Sequence, residues 1–265
     1  MIKMIVSDMD GTLLNSKKQL PNDFAEVYEQ ITKAGIQFVV ASGRQYYTLI
    51  DEFAHLDHNI AFVAENGGYI GWNEQTKVMQ PLLMTEIKPL ILAAREAGSN
   101  IVLCGKEAAY VENTSSDAFK AELAKYYAKH QLVDDLLRVD DHLLKIAIND
   151  FSNIETQVYP LLKARFGHLF QISTSSPIWL DVMPNGINKG RALQFLQQEL
   201  GISANETMAF GDYLNDYEML QVAGHSYAMA NAHPDIKEVA RFSTLSNDES
   251  GVLHAIRKSL AQLTN

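Results

Sequence analysis

Four short segments hold the residue types from which a reaction centre could be built. Asp8 and Asp10 stand in SDMDGT, directly after an apolar run at residues 2–7. Carboxylates at the carboxyl end of a buried parallel strand face the crevice in which open α/β sheets bind ligands. Such a pair can hold a divalent cation, with a backbone oxygen of the turn as a further ligand and Gly11 allowing the sharp bend. It can equally be a plain turn former. Gly11 falls four positions along when Asp8 is counted as the first, not six, which sets an EF-hand calcium loop aside. A second acidic group, FGDYLND, follows another apolar run and offers Asp212, Asn215 and Asp216. Two acidic strand ends in one parallel sheet favour magnesium, which takes oxygen ligands and bridges to phosphate; no cysteine or histidine cluster of zinc spacing occurs.

Between these lie two candidates for holding phosphate. Ser42 in ASGR sits between an apolar strand and a helix, where a hydroxyl and the neighbouring N–H groups can receive phosphate oxygens. Taken alone it could be an N-cap. Lys189 in NGINKG opens a helix, a place unfavourable to a cation unless an anion is held there; the alternative is a solvated lysine. Gly43 and Arg44 adjoin Ser42 and are candidates for touching substrate. Asn66 in ENGG is a turn residue or a contact to the same ligand. His142 and Lys145 flank a predicted strand, where they are either surface residues or selectors of a leaving group.

The elements that must position these groups follow from hydrophobic periodicity. Apolar strands are expected at residues 2–7, 36–41 and 60–64, with helices over 21–34 and from SGR to 56. Strands that are apolar throughout and separated by helices indicate a parallel sheet covered on both faces. The middle has another rhythm: helices at 86–97 and 116–129, strands near 101–104, 109–111 and 143–148, a capping box at Ser152 and Glu155 opening a helix to 165, then strands near 169–173 and 178–182. The first rhythm resumes with a helix over 188–200, a strand at 207–210, a helix from 215, a strand at 227–229 and a helix from 251. The parse is a discontinuous α/β core, residues 1–81 and 185–265, with an inserted α+β domain at 82–184.

Composition narrows the class. The chain has 265 residues, 47% hydrophobic and 20% charged, enough for real cores and incompatible with wholesale disorder. Its 22 basic and 32 acidic residues give a net charge of -10, which disfavours nucleic acid and anionic membranes as partners. The single cysteine, Cys104, lies in the apolar run IVLCG and reads as a core thiol. There is no signal-peptide apolar region and no apolar run of roughly 18 residues, so a cytoplasmic protein is expected.

Together DMDGTL, SGR, NKG and GDYLND, in this order and at this wide spacing, resemble the haloacid dehalogenase superfamily of phosphohydrolases, in particular its Cof-type branch with a large cap. The resemblance implies a Rossmann-like parallel sheet core covered by helices, with an inserted α+β cap at 82–184 that selects substrate. It implies that Asp8 attacks phosphorus to form an aspartyl phosphate, and that Asp10 protonates the leaving alcohol and later activates water. Asp8, the backbone carbonyl of Asp10 and Asp212 would hold Mg2+. Ser42, Lys189 and Asn215 would bind phosphate, and Asp216 would anchor the metal's water or Lys189. Asn188 stands where the branch usually has serine, which puts one local hydrogen bond in question. The expected activity is hydrolysis of small phosphomonoesters, sugar phosphates among them, with a small phosphorylated metabolite as partner. A phosphomutase with the same nucleophile and a noncatalytic phosphometabolite receptor are the alternatives. Neither GxGxxG nor GxxxxGK[ST] occurs in a strand-to-helix setting, which sets dinucleotide and P-loop chemistry aside.

Overall fold

The computed structural model of the chain describes residues 1–56 and 59–261. Its contacts divide it into two compact units, Met1–Gly43 with Glu52–Lys77 and Asn188–Asn265, and Arg44–Asp51 with Val78–Ile187. The sequence parse sets its boundaries near residues 81 and 185 and keeps 44–51 with the sheet domain, whereas those residues group with the second unit.

The first unit opens with strand β1 (Met4–Asp8), helix α1 (Phe24–Lys33) and strand β2 (Gln37–Ala41); the chain then forms helix α2 (Tyr46–Phe53), most of which groups with the second unit, and returns with strand β3 (Ile60–Ala64). Strands β4 (Tyr69–Trp72) and β5 (Gln75–Val78) then complete one edge of the sheet. Every residue of β1 is buried, as expected for a strand covered on both faces. In α1 the buried residues Phe24, Val27, Tyr28 and Ile31 form one stripe at helical spacing, and Phe24 packs edge-on against Phe38 of β2.

The second unit contains helix α3 (Met84–Glu96), strands β6 (Asn100–Gly105) and β7 (Ala109–Glu112), helix α4 (Asp117–Leu123), strands β8 (His130–Val133) and β9 (Leu143–Asn149), helix α5 (Tyr159–Phe166) and strands β10 (Phe170–Ser176) and β11 (Trp179–Pro184). They form a six-stranded sheet in the order β10-β11-β9-β6-β7-β8, antiparallel except for β7 with β8. Residues of α3 and α5 join one buried cluster with Ile146 and Ile148, while Phe119 and Leu123 of α4 join another with Val102, Cys104 and Ala147. Cys104 is thus the core thiol its setting predicts.

Helix α6 (Lys189–Leu200), strand β12 (Thr207–Gly211), helix α7 (Tyr217–Val222), strand β13 (His225–Ala228), helix α8 (Pro234–Val239), strand β14 (Phe242–Ser243) and helix α9 (Gly251–Ala261) return to the first unit. Its eight strands run in the order β14-β13-β12-β1-β2-β3-β4-β5, parallel from β14 to β3 and antiparallel between β3 and β4. Ser7 pairs with Phe210 and Asp8 with Ala41, so the chain leaves β1, β2 and β12 side by side at one end of the sheet. That end carries Asp8, Ser42 and Asp212.

The structure corrects several local expectations. The helix expected over 116–129 stops at Leu123, and residues 130–133 become β8. Ser152 and Glu155 do not form a capping box; the Asp150 carboxylate accepts the N–H groups of Ser152 and Asn153 at 2.8 and 2.9 Å, and a wide π turn at Ile154–Val158 precedes α5. The ENGG segment is more than a turn. Glu65, Asn66 and Gly67 all have left-handed φ, 49°, 51° and 99°, and reverse the chain from β3 into β4. A Cβ on Gly67 would lie 2.3 Å from the carbonyl oxygen of Asn188, so only glycine lets this turn meet the start of α6. Gly67→Ala is expected to destabilise the protein by about 2 kcal/mol or more. Urea unfolding checks this, and a change under about 0.5 kcal/mol would mean that the close approach is not required.

Candidate active site

Lys189 is the centre of the site. It is the first residue of α6 and is about 1% exposed. The Asn188 side chain caps that helix by accepting the Arg191 N–H at 2.8 Å, so asparagine here satisfies a helix-start donor as a serine would. The Lys189 ammonium donates to Asp8 Oδ1 at 2.5 Å and to Asp216 Oδ1 at 2.7 Å. Asp216 is fully buried, and its other oxygen accepts the N–H groups of Asp212 and Tyr213 at 3.0 and 3.2 Å. One carboxylate therefore anchors the lysine and folds the loop after β12.

Asp212 in turn accepts the Thr12 hydroxyl at 2.7 Å. Gly11 has φ 85°, and a Cβ there would lie 2.4 Å from Asp212 Oδ2, so glycine allows the DMDGT turn to rest against that carboxylate. Asp8, Asp212 and Asp216 bring one carboxylate oxygen each to within 4.8 Å of one another. Three carboxylates with one ammonium leave negative charge in excess, and the donors are all hard oxygens, a set that fits a divalent cation. The Asp10 carboxylate stands outside this group and accepts from the Lys18 ammonium at 2.6 Å.

A second side of the site is built from amides. Ser42, about 2% exposed, donates its N–H to Val63 and accepts the Asn66 N–H through its carbonyl, which fixes it between the ends of β2 and β3. Gly43 lies against the Asn66 side chain, and Asn215 Nδ2 donates to Asn66 Oδ1 at 3.1 Å. Ser42, Gly43 and Asn215 are thus joined through Asn66. Thr12 and Lys18 are contacts that sequence reasoning missed; Thr12 was visible inside DMDGT, while Lys18 lies in a turn without periodic signal. Arg44 belongs to the segment that groups with the second unit. In that unit Lys145 is buried and paired with Asp181 at 3.7 Å, and the His142 N–H is held by Asp141 at 2.6 Å.

The family model for haloacid dehalogenase-like hydrolases matches residues 5–256, nearly the whole chain. The chain belongs to that family. It is 35% identical over 263 residues to the 5-amino-6-(5-phospho-D-ribitylamino)uracil phosphatase YbjI of Escherichia coli, covering 98% of this chain and 96% of that protein. The phosphatase of the same designation from Bacillus subtilis, YcsE, is 28% identical over 256 residues, covering 97% and 95%. A solved haloacid dehalogenase-like hydrolase from Bacteroides thetaiotaomicron superposes with a TM-score of 0.86 at 30% identity, covering 98% of this chain and all of that one. This haloacid dehalogenase-like hydrolase is a phosphoric monoester hydrolase, a phosphatase. Among its described residues no helix is long and apolar enough to cross a membrane.

The electrostatics of the hydrolase follow from crowding. Burial raises the Asp8 carboxyl well above its ordinary value, with Asp216 and Asp212 adding to the rise and Lys189 opposing it. Burial also raises Asp212, to about 6; the Thr12 hydrogen bond and Lys189 oppose the rise and Asp216 adds to it. Burial alone would lower Lys189, but Asp216 and Asp8 more than offset it and hold the ammonium above its ordinary value. Carboxyls raised in the folded state favour folding at low pH, and that contribution fades as pH rises through their folded values, so the cation-free site costs stability as pH passes about 6. A bound cation reverses this by favouring the ionised forms, and protons must compete with it. Divalent-cation affinity measured by calorimetry is expected to weaken by about tenfold or more between pH 7.5 and pH 5. A pH-independent affinity would contradict these carboxylates as its ligands.

Proposed function

We propose that the protein hydrolyses small phosphomonoesters, sugar phosphates among them, in a magnesium-dependent reaction that passes through an aspartyl phosphate on Asp8. The observation that carries this reading is the buried Lys189 ammonium bridging Asp8 and Asp216 at the end of a central parallel strand. A counter-ion this close holds Asp8 in position and offers positive charge where a phosphoryl group would arrive. A noncatalytic anion receptor has no need of a carboxylate nucleophile in that place.

In this reading Asp8 attacks phosphorus while Asp10 gives a proton to the leaving ester oxygen, breaking the P–O bond. Water then attacks the phosphorus of the aspartyl phosphate, its proton passes to Asp10, and Asp8 is released with inorganic phosphate. Lys189, Ser42 and Asn215 bind the phosphoryl oxygens, which carry most of the charge in a loose transition state. Magnesium, held by Asp8, Asp212 and the backbone carbonyl of Asp10, would offset the charge of the phosphate. Asp216 keeps Lys189 and the Asp212 backbone in place, consistent with its contacts. The inserted domain, about residues 82–184, is assigned the selection of substrate, with Gly43 and Arg44 as further contacts. The ribityl phosphate ester named for the Escherichia coli and Bacillus subtilis relatives is a sugar-alcohol phosphate and supports the substrate class. A small phosphorylated metabolite in the cytoplasm is the partner this implies.

Phosphate release from a panel of small phosphorylated metabolites, with and without magnesium, tests the proposal. Wild type is expected to turn over sugar or sugar-alcohol phosphates only with magnesium, and folded Asp8→Asn to lose at least about 10³-fold in kcat. Formation of a phosphate positional isomer without free phosphate would favour the mutase instead. Saturable binding without turnover by folded wild type would favour the receptor.

A further inference from the structure

We propose that Lys18 is a positioning residue for Asp10, a role that rests on the reading of Asp10 as the proton donor and acceptor of the reaction. Its ammonium donates to Asp10 Oδ1 at 2.6 Å, which holds the carboxylate that exchanges a proton with the leaving group or water. The remaining acids of the site are oriented by Lys189, Thr12 and backbone N–H groups. Asp10 is oriented by a lysine only eight residues away.

The turn that carries Lys18 is built to present it. Lys18 has φ 61°, a left-handed conformation that is disfavoured for a residue with a Cβ and that glycine or asparagine would adopt more easily. It is imposed by Asn15, whose side-chain oxygen accepts the N–H groups of Lys17 and Gln19 at 2.9 and 3.1 Å and whose carbonyl accepts that of Lys18 at 2.9 Å. The turn is tied down from outside as well. Asp248 accepts the Ser16 N–H at 2.8 Å, Asn247 donates to the Leu14 carbonyl at 2.9 Å, and Asn231 donates to that of Gly11 at 2.8 Å. Asn247 and Asn231 are themselves hydrogen-bonded at 3.1 Å.

Stability does not account for this arrangement. The pair is open to water, with side-chain exposures of 63% for Lys18 and 36% for Asp10, and exposed ion pairs add little to folding. What the pair does supply is orientation. A misplaced acid should matter only where the leaving oxygen needs a proton.

The test compares two esters, glycerol 1-phosphate, whose alkoxide leaves poorly, and p-nitrophenyl phosphate, whose phenolate leaves without protonation. For both, kcat/KM reports the step that forms the covalent intermediate. Lys18→Met is expected to lower kcat/KM for glycerol 1-phosphate by about tenfold or more, a fraction of the roughly 10²–10⁴ that a positioned acid supplies. The loss for p-nitrophenyl phosphate should stay within about threefold, and Lys18→Arg should recover most of the glycerol 1-phosphate activity. Equal losses on the two esters, no loss on either, or failure of arginine to rescue would overturn the proposal. Asp10→Asn measured on the same pair separates the two levels of argument. If it fails to discriminate between the esters, the assignment of Asp10 is at fault; if it discriminates and Lys18→Met does not, only the role of Lys18 falls.

Discussion

The site depends on one buried ammonium. Lys189 has almost no exposure and would not remain charged in such a place without the two carboxylates that contact it. The converse also holds, because Asp8 and Asp216 are buried and would repel each other across a short distance if the lysine were absent. Removing one member of such a group leaves uncompensated charge in a region of low polarity. The central end of the sheet is therefore arranged to bring β1, the start of α6 and the loop after β12 to the same point.

That requirement explains features that otherwise look unrelated. Asn188 caps α6 so that the helix can begin at Lys189. Asp216 uses one oxygen on Lys189 and the other on the Asp212 and Tyr213 N–H groups, so the residue that holds the lysine also sets the loop carrying Asp212. Gly67 allows the strained turn after β3 to approach the carbonyl of Asn188. The balance is incomplete in charge: three carboxylates face one ammonium, and burial, with repulsion from Asp216 added, raises the Asp8 and Asp212 carboxyls. A divalent cation and a phosphate ester are partners of matching sign for the two halves of this arrangement.

Much of this was legible in the sequence where chemistry and periodicity coincide. Asp8, Ser42 and Asp212 each follow an apolar strand, and parallel strands in neighbouring register carry such ends to one edge, so their meeting could be anticipated. The pairing of Lys189 with Asp216 could be named only through the family resemblance, because nothing in local spacing tells a buried lysine from a solvated one. Irregular backbone was least legible. The three left-handed residues at Glu65, Asn66 and Gly67, the left-handed Lys18, and the Asp150 contacts that replace a capping box at Ser152 depend on tertiary partners that no periodicity encodes. The helix expected over 116–129 runs past Leu123 because residues 124–129 continue a helical composition, and β8, which begins at His130, is held by its pairing with β7 and carries no alternation of its own.

Asp8 is proposed as a nucleophile, not as a metal ligand alone, and the stereochemical course at phosphorus tests that most directly. An isotopically chiral phosphorothioate monoester, hydrolysed by the wild-type protein in labelled water, reports whether one displacement or two occur. Two in-line displacements, first by Asp8 and then by water, predict overall retention of configuration. Inversion would show that water attacks the ester in a single step and would contradict the covalent role assigned to Asp8.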